Sequence, residues 1–156
     1  MRVASFAEIE PEFTKRVQEI VWCNVATANR GRRLRSRILH PLWEGSTGWI
    51  LSSRQSLKAK HLEKNPYVSL SYANPNLEQV YADCRAEWED RADVKSRIWD
   101  LFKATPEPVG YDPIAFWPGG KADPTFGVLR LAPWRIEVVS LADLMKGGGK
   151  IWSAPQ

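Results

Sequence analysis

Cysteine and histidine are scarce in this chain, two of each among 156 residues. Cys23 and Cys84 stand far apart without CxxC spacing, and only His40 and His61 could join them as ligands. Structural zinc takes about four such ligands at short spacings, so a zinc fold and a disulfide scaffold are both excluded. Two buried free thiols in a reducing compartment are expected instead. No apolar run approaches the ~18–20 residues of a membrane span. Met1-Arg2-Val3-Ala4 is not followed by the apolar core of a secretion signal. A cytoplasmic protein with no membrane partner is therefore expected. Walker loop, dinucleotide GxGxxG and GxSxG elbow are all missing. Neither histidine has a serine or cysteine at a telling distance, and Glu8, Glu10, Glu12, Asp90 and Asp93 read as solvated helix faces. Reactivity would have to come from a cofactor.

Hydrophobic residues make up 44% and charged residues 26% of the chain, which excludes disorder as its main description. Its length suits one domain, 1–156, able to bury roughly 68–70% of its extended surface without a staple. The net charge of +4 is concentrated: Arg30, Arg32, Arg33, Arg35 and Arg37 fall within eight residues, and taking those five charges away leaves −1. A compact patch suits a phosphate or similar small anion, whereas nucleic-acid binders spread their charge along a face. No nucleic-acid partner is expected.

Phe6, Ile9, Phe13, Val17 and Ile20 recur at helical spacing. Ser5 with Glu8 resembles a capping box, and Pro11 at the first helical position predicts a helix over 11–20 preceded by a turn. Strands are predicted at 21–28, 34–42, 49–53, 67–73, 79–88 and 126–139, the last interrupted at Pro133. On the second of these, Arg33, Arg35 and Arg37 share one face and Leu34, Ser36 and Ile38 the other. Short helices are predicted at 56–64 and 93–103. Residues 106–120, rich in proline and glycine, read as an irregular loop or lid, and the Gly147-Gly148-Gly149 stretch predicts a mobile tail from about 143. Six or so antiparallel strands with added helices make a mainly β fold, a small barrel, though strand count alone would also fit a sandwich.

One constellation could bind an anion. Arg35 and Arg37 lie on one strand, and Ser52, Ser53, Gln55 and Ser56 precede a helix carrying Lys58 in its first turn. Hydroxyls, an ammonium and guanidinium forks give charge-assisted hydrogen bonds, and a helix start adds free N–H groups. If the strands are neighbours, these groups converge on one phosphate. The same residues also fit an arginine-rich hairpin in solvent with an ordinary serine cap.

The order of segments resembles a known family. Arg35-Ser36-Arg37-Ile38-Leu39-His40, then Ser56-Leu57-Lys58, His61-Leu62-x-x-Asn65-Pro66-x-Val68-Ser69-Leu70, Gln79-Val80 and Arg85-Ala86-Glu87 are similar to the pyridoxamine 5′-phosphate oxidase-like flavoproteins. Phe116-Trp117-Pro118-Gly119-Gly120-Lys121 and Leu129-Arg130-Leu131-x-Pro133 resemble the general-stress-protein branch of that family. The resemblance spans roughly 12–140 and implies a split β-barrel that binds FMN at a homodimer interface. It implies that Arg35, with Arg37 or His40, and Lys58 hold the flavin phosphate, with Ser36 in the same stretch. Ser52 and Ser56 would add polar contacts, and Gln79 would bond the ribityl chain or the ring. Leu57 stands where true oxidases carry a basic residue. The substrate-binding Arg-x-His near their C-terminus is absent, since no histidine follows His61. Oxidation of pyridoxamine phosphate is not expected.

The expected function is thus a flavin-dependent oxidoreductase acting on a small-molecule substrate. The alternatives are an F420-dependent reductase of the same fold, whose cofactor has a phosphate and an acidic tail, and a non-catalytic flavin- or haem-binding stress protein. Of the eight tryptophans, most are assigned to core and dimer interface, with Trp117 as the candidate lid.

Overall fold

A computed structural model describes residues 1–155. The Ser5–Glu8 box forms: the Glu8 carboxylate accepts from Ser5 N at 2.9 Å and caps a 3-10 turn, Phe6–Glu8. Helix α1, Glu10–Ile20, follows with Pro11 in its first turn, where its missing N–H costs nothing. The strands are β1 (Cys23–Ala28), β2 (Leu34–Leu39), β3 (Leu42–Glu44), β4 (Thr47–Ser53), β5 (Tyr67–Ala73), β6 (Gln79–Glu89), β7 (Phe126–Val139) and β8 (Lys150–Ser153). The remaining helices are α2 (Leu57–Leu62), α3 (Ala92–Ala104) and α4 (Leu141–Met145). No helix among the described residues is long and apolar enough to cross a membrane.

All strands belong to one sheet of antiparallel pairs in the order β2-β1-β5-β6-β7-β4-β3, with β8 also paired to β7. β2 pairs only with β1 and β3 only with β4, so the sheet curls without closing. It is a split barrel. α1 plugs its inside, where Ile9, Phe13 and Val17 pack on Leu70, Tyr72, Val80, Leu129 and Ile136. A second core lies outside, where Val94, Ile98, Trp99 and Phe102 of α3 cover Leu51, Phe126 and Val128. Each such side chain, fully buried, contributes about 1.5–3 kcal/mol.

Four expectations are corrected. The strand expected over 34–42 stops at Leu39, and Pro41, which has no N–H, separates it from the short β3. β7 is not interrupted at Pro133. Asp83 pairs with Arg135 and Cys84 with Pro133, so Trp134, beside the proline, is the extra residue of a bulge on β7, the kind of place where a strand accommodates proline. The segment from about 143 is no loose tail: α4 has its own capping box at Ser140, β8 pairs with β7, and Trp152 is buried. Residues 106–120 fold onto α3, with Tyr111 N donating to Phe102 O at 3.0 Å. Trp117, only 7% exposed, is a fixed part of the second core and not a hinged lid.

Candidate functional site

On β2 the face bearing Arg35, Arg37 and Leu39 lies toward the inside of the barrel, with Arg37 and Leu39 half-buried and Arg35 still exposed, while the other face leaves Leu34 78% and Ile38 57% exposed. Arg35 stands opposite Thr27 and Arg37 opposite Val25, both buried on the inner face of β1. Arg37 Nη1 donates to Thr27 Oγ1 at 2.9 Å, and Thr27 Oγ1 lies 2.8 Å from Nδ1 of buried His61 on α2. From the far side of the gap, Lys58 Nζ donates to Ser52 Oγ at 2.6 Å and lies 3.4 Å from Ser56 Oγ. Ser52 is buried near the end of β4, and Ser56 caps α2 by accepting from Ala59 N. That helix has six residues, so the charge of the site comes from side chains more than from its helix dipole.

Nothing negative balances these cations. Among the described residues, Arg35, Arg37 and Lys58 enter no ion pair. Burial, and secondarily the charge of Arg37, holds Lys58 below the ordinary lysine value. Burial, and then Arg35, lowers Arg37 likewise. Arg37 Nη2 is the one buried side-chain nitrogen or oxygen without a hydrogen-bond partner among the described residues. An unmet guanidinium donor costs free energy that an anion would recover. A phosphate, with its several acceptor oxygens, fits these donors.

The other expected site residues lie elsewhere. Ser36 is on the outer face, 3.4 Å from Asn24 Oδ1. His40 is drawn away from the cations: its Nε2 meets Val109 O at 2.7 Å, and its ring lies 4.7 Å from that of Trp22 and 4.9 Å from that of Tyr111. A carbonyl only accepts, so Nε2 holds a proton, and burial lowers the imidazole's pKa below its ordinary value. Gln79 pairs with Val139 at one end of β7, whereas Ser53 pairs with Phe126 at the other. One subunit therefore cannot bring Gln79 to Lys58.

Leu39, His40, Ile50 and Leu51, chain neighbours of Arg37 and Ser52, help line a cavity of about 390 Å³ whose lining includes none of the cations. Thr27, His61 and Trp22 were not legible as site residues. Their roles depend on contacts between distant segments, such as the 34 residues separating Thr27 from His61.

The sequence matches the family described as pyridoxamine 5′-phosphate oxidase over residues 9–140. The chain belongs to this family. No curated protein matches it. Solved structures share the family's fold. A NimC/NimA family protein from Clostridium acetobutylicum is 19% identical, with 96% of this chain and 94% of that one covered at a TM-score of 0.74. General stress protein 26 from Bacillus anthracis is 17% identical, with coverage of 84% and 93% and a TM-score of 0.68. A pyridoxamine 5′-phosphate oxidase-related, FMN-binding protein from Nostoc punctiforme is 16% identical, with coverage of 90% and 86% and a TM-score of 0.65.

Proposed function

We propose that the chain is an FMN-dependent oxidoreductase in which Arg35, Arg37, Ser52, Ser56 and Lys58 hold the flavin phosphate. The observation that carries this reading is the unpartnered Arg37 Nη2 beside a half-buried lysine, with no carboxylate to neutralise either. The FMN-binding relative supports flavin as the anion's owner. Bound flavin supplies hydride or single-electron transfer, chemistry that no side chain here provides. Thr27 fixes the Arg37 fork, and Ser52 and Ser56 orient the Lys58 ammonium. The protein works as a homodimer, which alone would let Gln79 of one subunit join the cations of the other. The exposed Leu34 and Ile38 on the free edge strand β2 supply apolar area for that contact.

F420 is the second candidate cofactor. Its phosphate would use the same seat, and its acidic tail would suit the exposed Arg30, Arg32 and Arg33. A haem site gains less support: Nε2 of His40 is bonded to Val109, and His61 is buried behind Thr27. The mass and spectrum of the co-purifying cofactor separate these readings.

Two outcomes follow. Because Lys58 titrates below its ordinary 10.5, FMN affinity should fall as pH rises through that lowered value, where the ammonium is lost. Titrations from neutral pH up to the ordinary lysine value should show the fall for the parent and a flatter profile for Lys58→Arg, whose charge persists. An affinity independent of pH in the parent would remove Lys58 from the phosphate seat. The second concerns pyridoxamine phosphate. No Lys or Arg among the described residues lines the cavity, and Arg-x-His is absent. FMN-loaded protein should produce peroxide from this substrate no faster than free FMN does, and rapid peroxide release would contradict the assignment.

A further inference from the structure

We propose that the 390 Å³ cavity admits a flat, uncharged aromatic substrate, and that Trp22 and Phe116 are the rings that clasp it. The inference rests on the flavin reading for calling the guest a substrate, and on the cavity alone for the guest's chemistry. Its size falls in the range of small-molecule sites.

Charge is the first argument. Among the described residues lining the cavity there is no Lys or Arg, and Glu107 is the sole carboxylate. Burial favours the neutral form of His40, whose ring meets Val109 O. An anion would find no counter-charge there and would meet Glu107, while an uncharged guest loses little on entering.

Shape is the second. Trp22, His40, Tyr111, Phe116 and Trp117 all line the cavity, and flat faces favour a flat guest by offset stacking. Tyr111 and Trp117 hold Phe116 between them, at ring distances of 5.5 and 6.0 Å. Phe116 is nevertheless 65% exposed and Trp22 55%, so the fold leaves two large rings in water at one opening. Exposed apolar surface gathered in one place marks a contact site.

Backbone strain is the third. Val21 has φ 66° and ψ −59°, and Trp22 N donates to Ile20 O at 2.7 Å, closing a γ-turn of the rare positive-φ kind. A β-branched residue pays heavily for that conformation. The turn ends α1 abruptly and starts β1 at Cys23, and it sets Trp22 against His40 at the cavity wall. Strain of this sort persists where a site needs the geometry it produces.

The test is calorimetry with three probes: menadione (flat, uncharged), pyridoxal 5′-phosphate (flat, anionic) and camphor (uncharged, not flat). Each is titrated into FMN-loaded and FMN-free protein. Menadione should bind both forms, and in the FMN-loaded form, where the phosphate seat is filled, the other two should bind at least about tenfold more weakly. Trp22→Ala and Phe116→Ala should each weaken menadione by roughly 5- to 150-fold, the range for loss of one stacking ring. A cooperative thermal melt shows that the variants fold. Equal binding of pyridoxal phosphate or camphor to the FMN-loaded protein, where the phosphate seat is filled, overturns the proposal, as does menadione binding that neither variant changes. If menadione binds only the FMN-free protein, the cavity seats the cofactor's own ring and the substrate proposal falls. If FMN never binds but menadione does, through these two rings, the flavin reading falls and the guest chemistry stands. If FMN binds and menadione does not, this inference alone is lost.

Discussion

Lys58→Ala is expected to weaken FMN binding by roughly 10- to 150-fold, because a hydrogen bond to a charged group is worth about 1.5–3 kcal/mol and each 1.4 kcal/mol is a decade. A flavin phosphate carries close to two negative charges at neutral pH. Lys58 is held by Ser52 at 2.6 Å on the rim of the Arg37 site, so its ammonium is already aimed before any ligand arrives. Lys58→Arg should recover part of the loss, since the charge returns with a different reach. The apo protein should melt at the same temperature or higher after Lys58→Ala. The folded state lowers this lysine's pKa, so the charged form is less favoured there than in the unfolded chain, and removing it gives up no ion pair. Quenching of flavin fluorescence measures the affinities. Equal binding by parent and variant would place the phosphate elsewhere. Binding of F420 but not FMN, weakened in the same way by the substitution, would keep the seat and change the cofactor.

Light scattering at micromolar concentration should give twice the mass of one chain, from an interface larger than the ~1,600 Å² typical of stable complexes. The reason lies in the sheet. β2 is an unpaired edge whose outer face shows Leu34 and Ile38 to water, an arrangement a lone protein would avoid. Gln79 lies at the opposite end of β7 from the cations, so a site using both must cross subunits. Mixed dimers make this quantitative. Lys58→Ala and Gln79→Ala homodimers should each bind FMN weakly, but a mixed dimer carries one damaged site and one intact site. Mixing the two variants, after dissociation and reassembly, should restore tight binding to a fraction of sites. A mass of one chain, or no recovery on mixing, would break the link between assembly and cofactor.

Local signals made much of this structure legible. β5 occupies 67–73 as its alternation and the flanking Asn65-Pro66 and Asn74-Pro75-Asn76 turns predict, because hairpin strands depend on neighbours in sequence. Arg37, Ser52, Ser56 and Lys58 stood out in the sequence as candidates for one anion seat because cations and hydroxyls gather on β2 and where β4 runs into α2. Long-range facts were hidden. Alternation on β2 separates arginines from apolar residues but does not say which face looks inward, and the inward choice here is the charged one. The Gly147-Gly148-Gly149 stretch reads as slack, yet a Cβ on Gly149 would meet Val138 O at 2.1 Å, and Gly147 and Gly148 sit at φ 101° and 115°. Those glycines make a tight return that delivers β8 to β7. Trp22 looks like any core tryptophan until the γ-turn at Val21 is seen to expose it.

The most direct test of the phosphate seat compares FMN with riboflavin, which differ only in the phosphate, by titration into the same apo protein. If Arg37, Lys58 and Ser52 receive that phosphate, FMN should bind at least roughly 100-fold more tightly, as two or more charge-assisted hydrogen bonds require. Riboflavin binding as tightly as FMN would contradict the account.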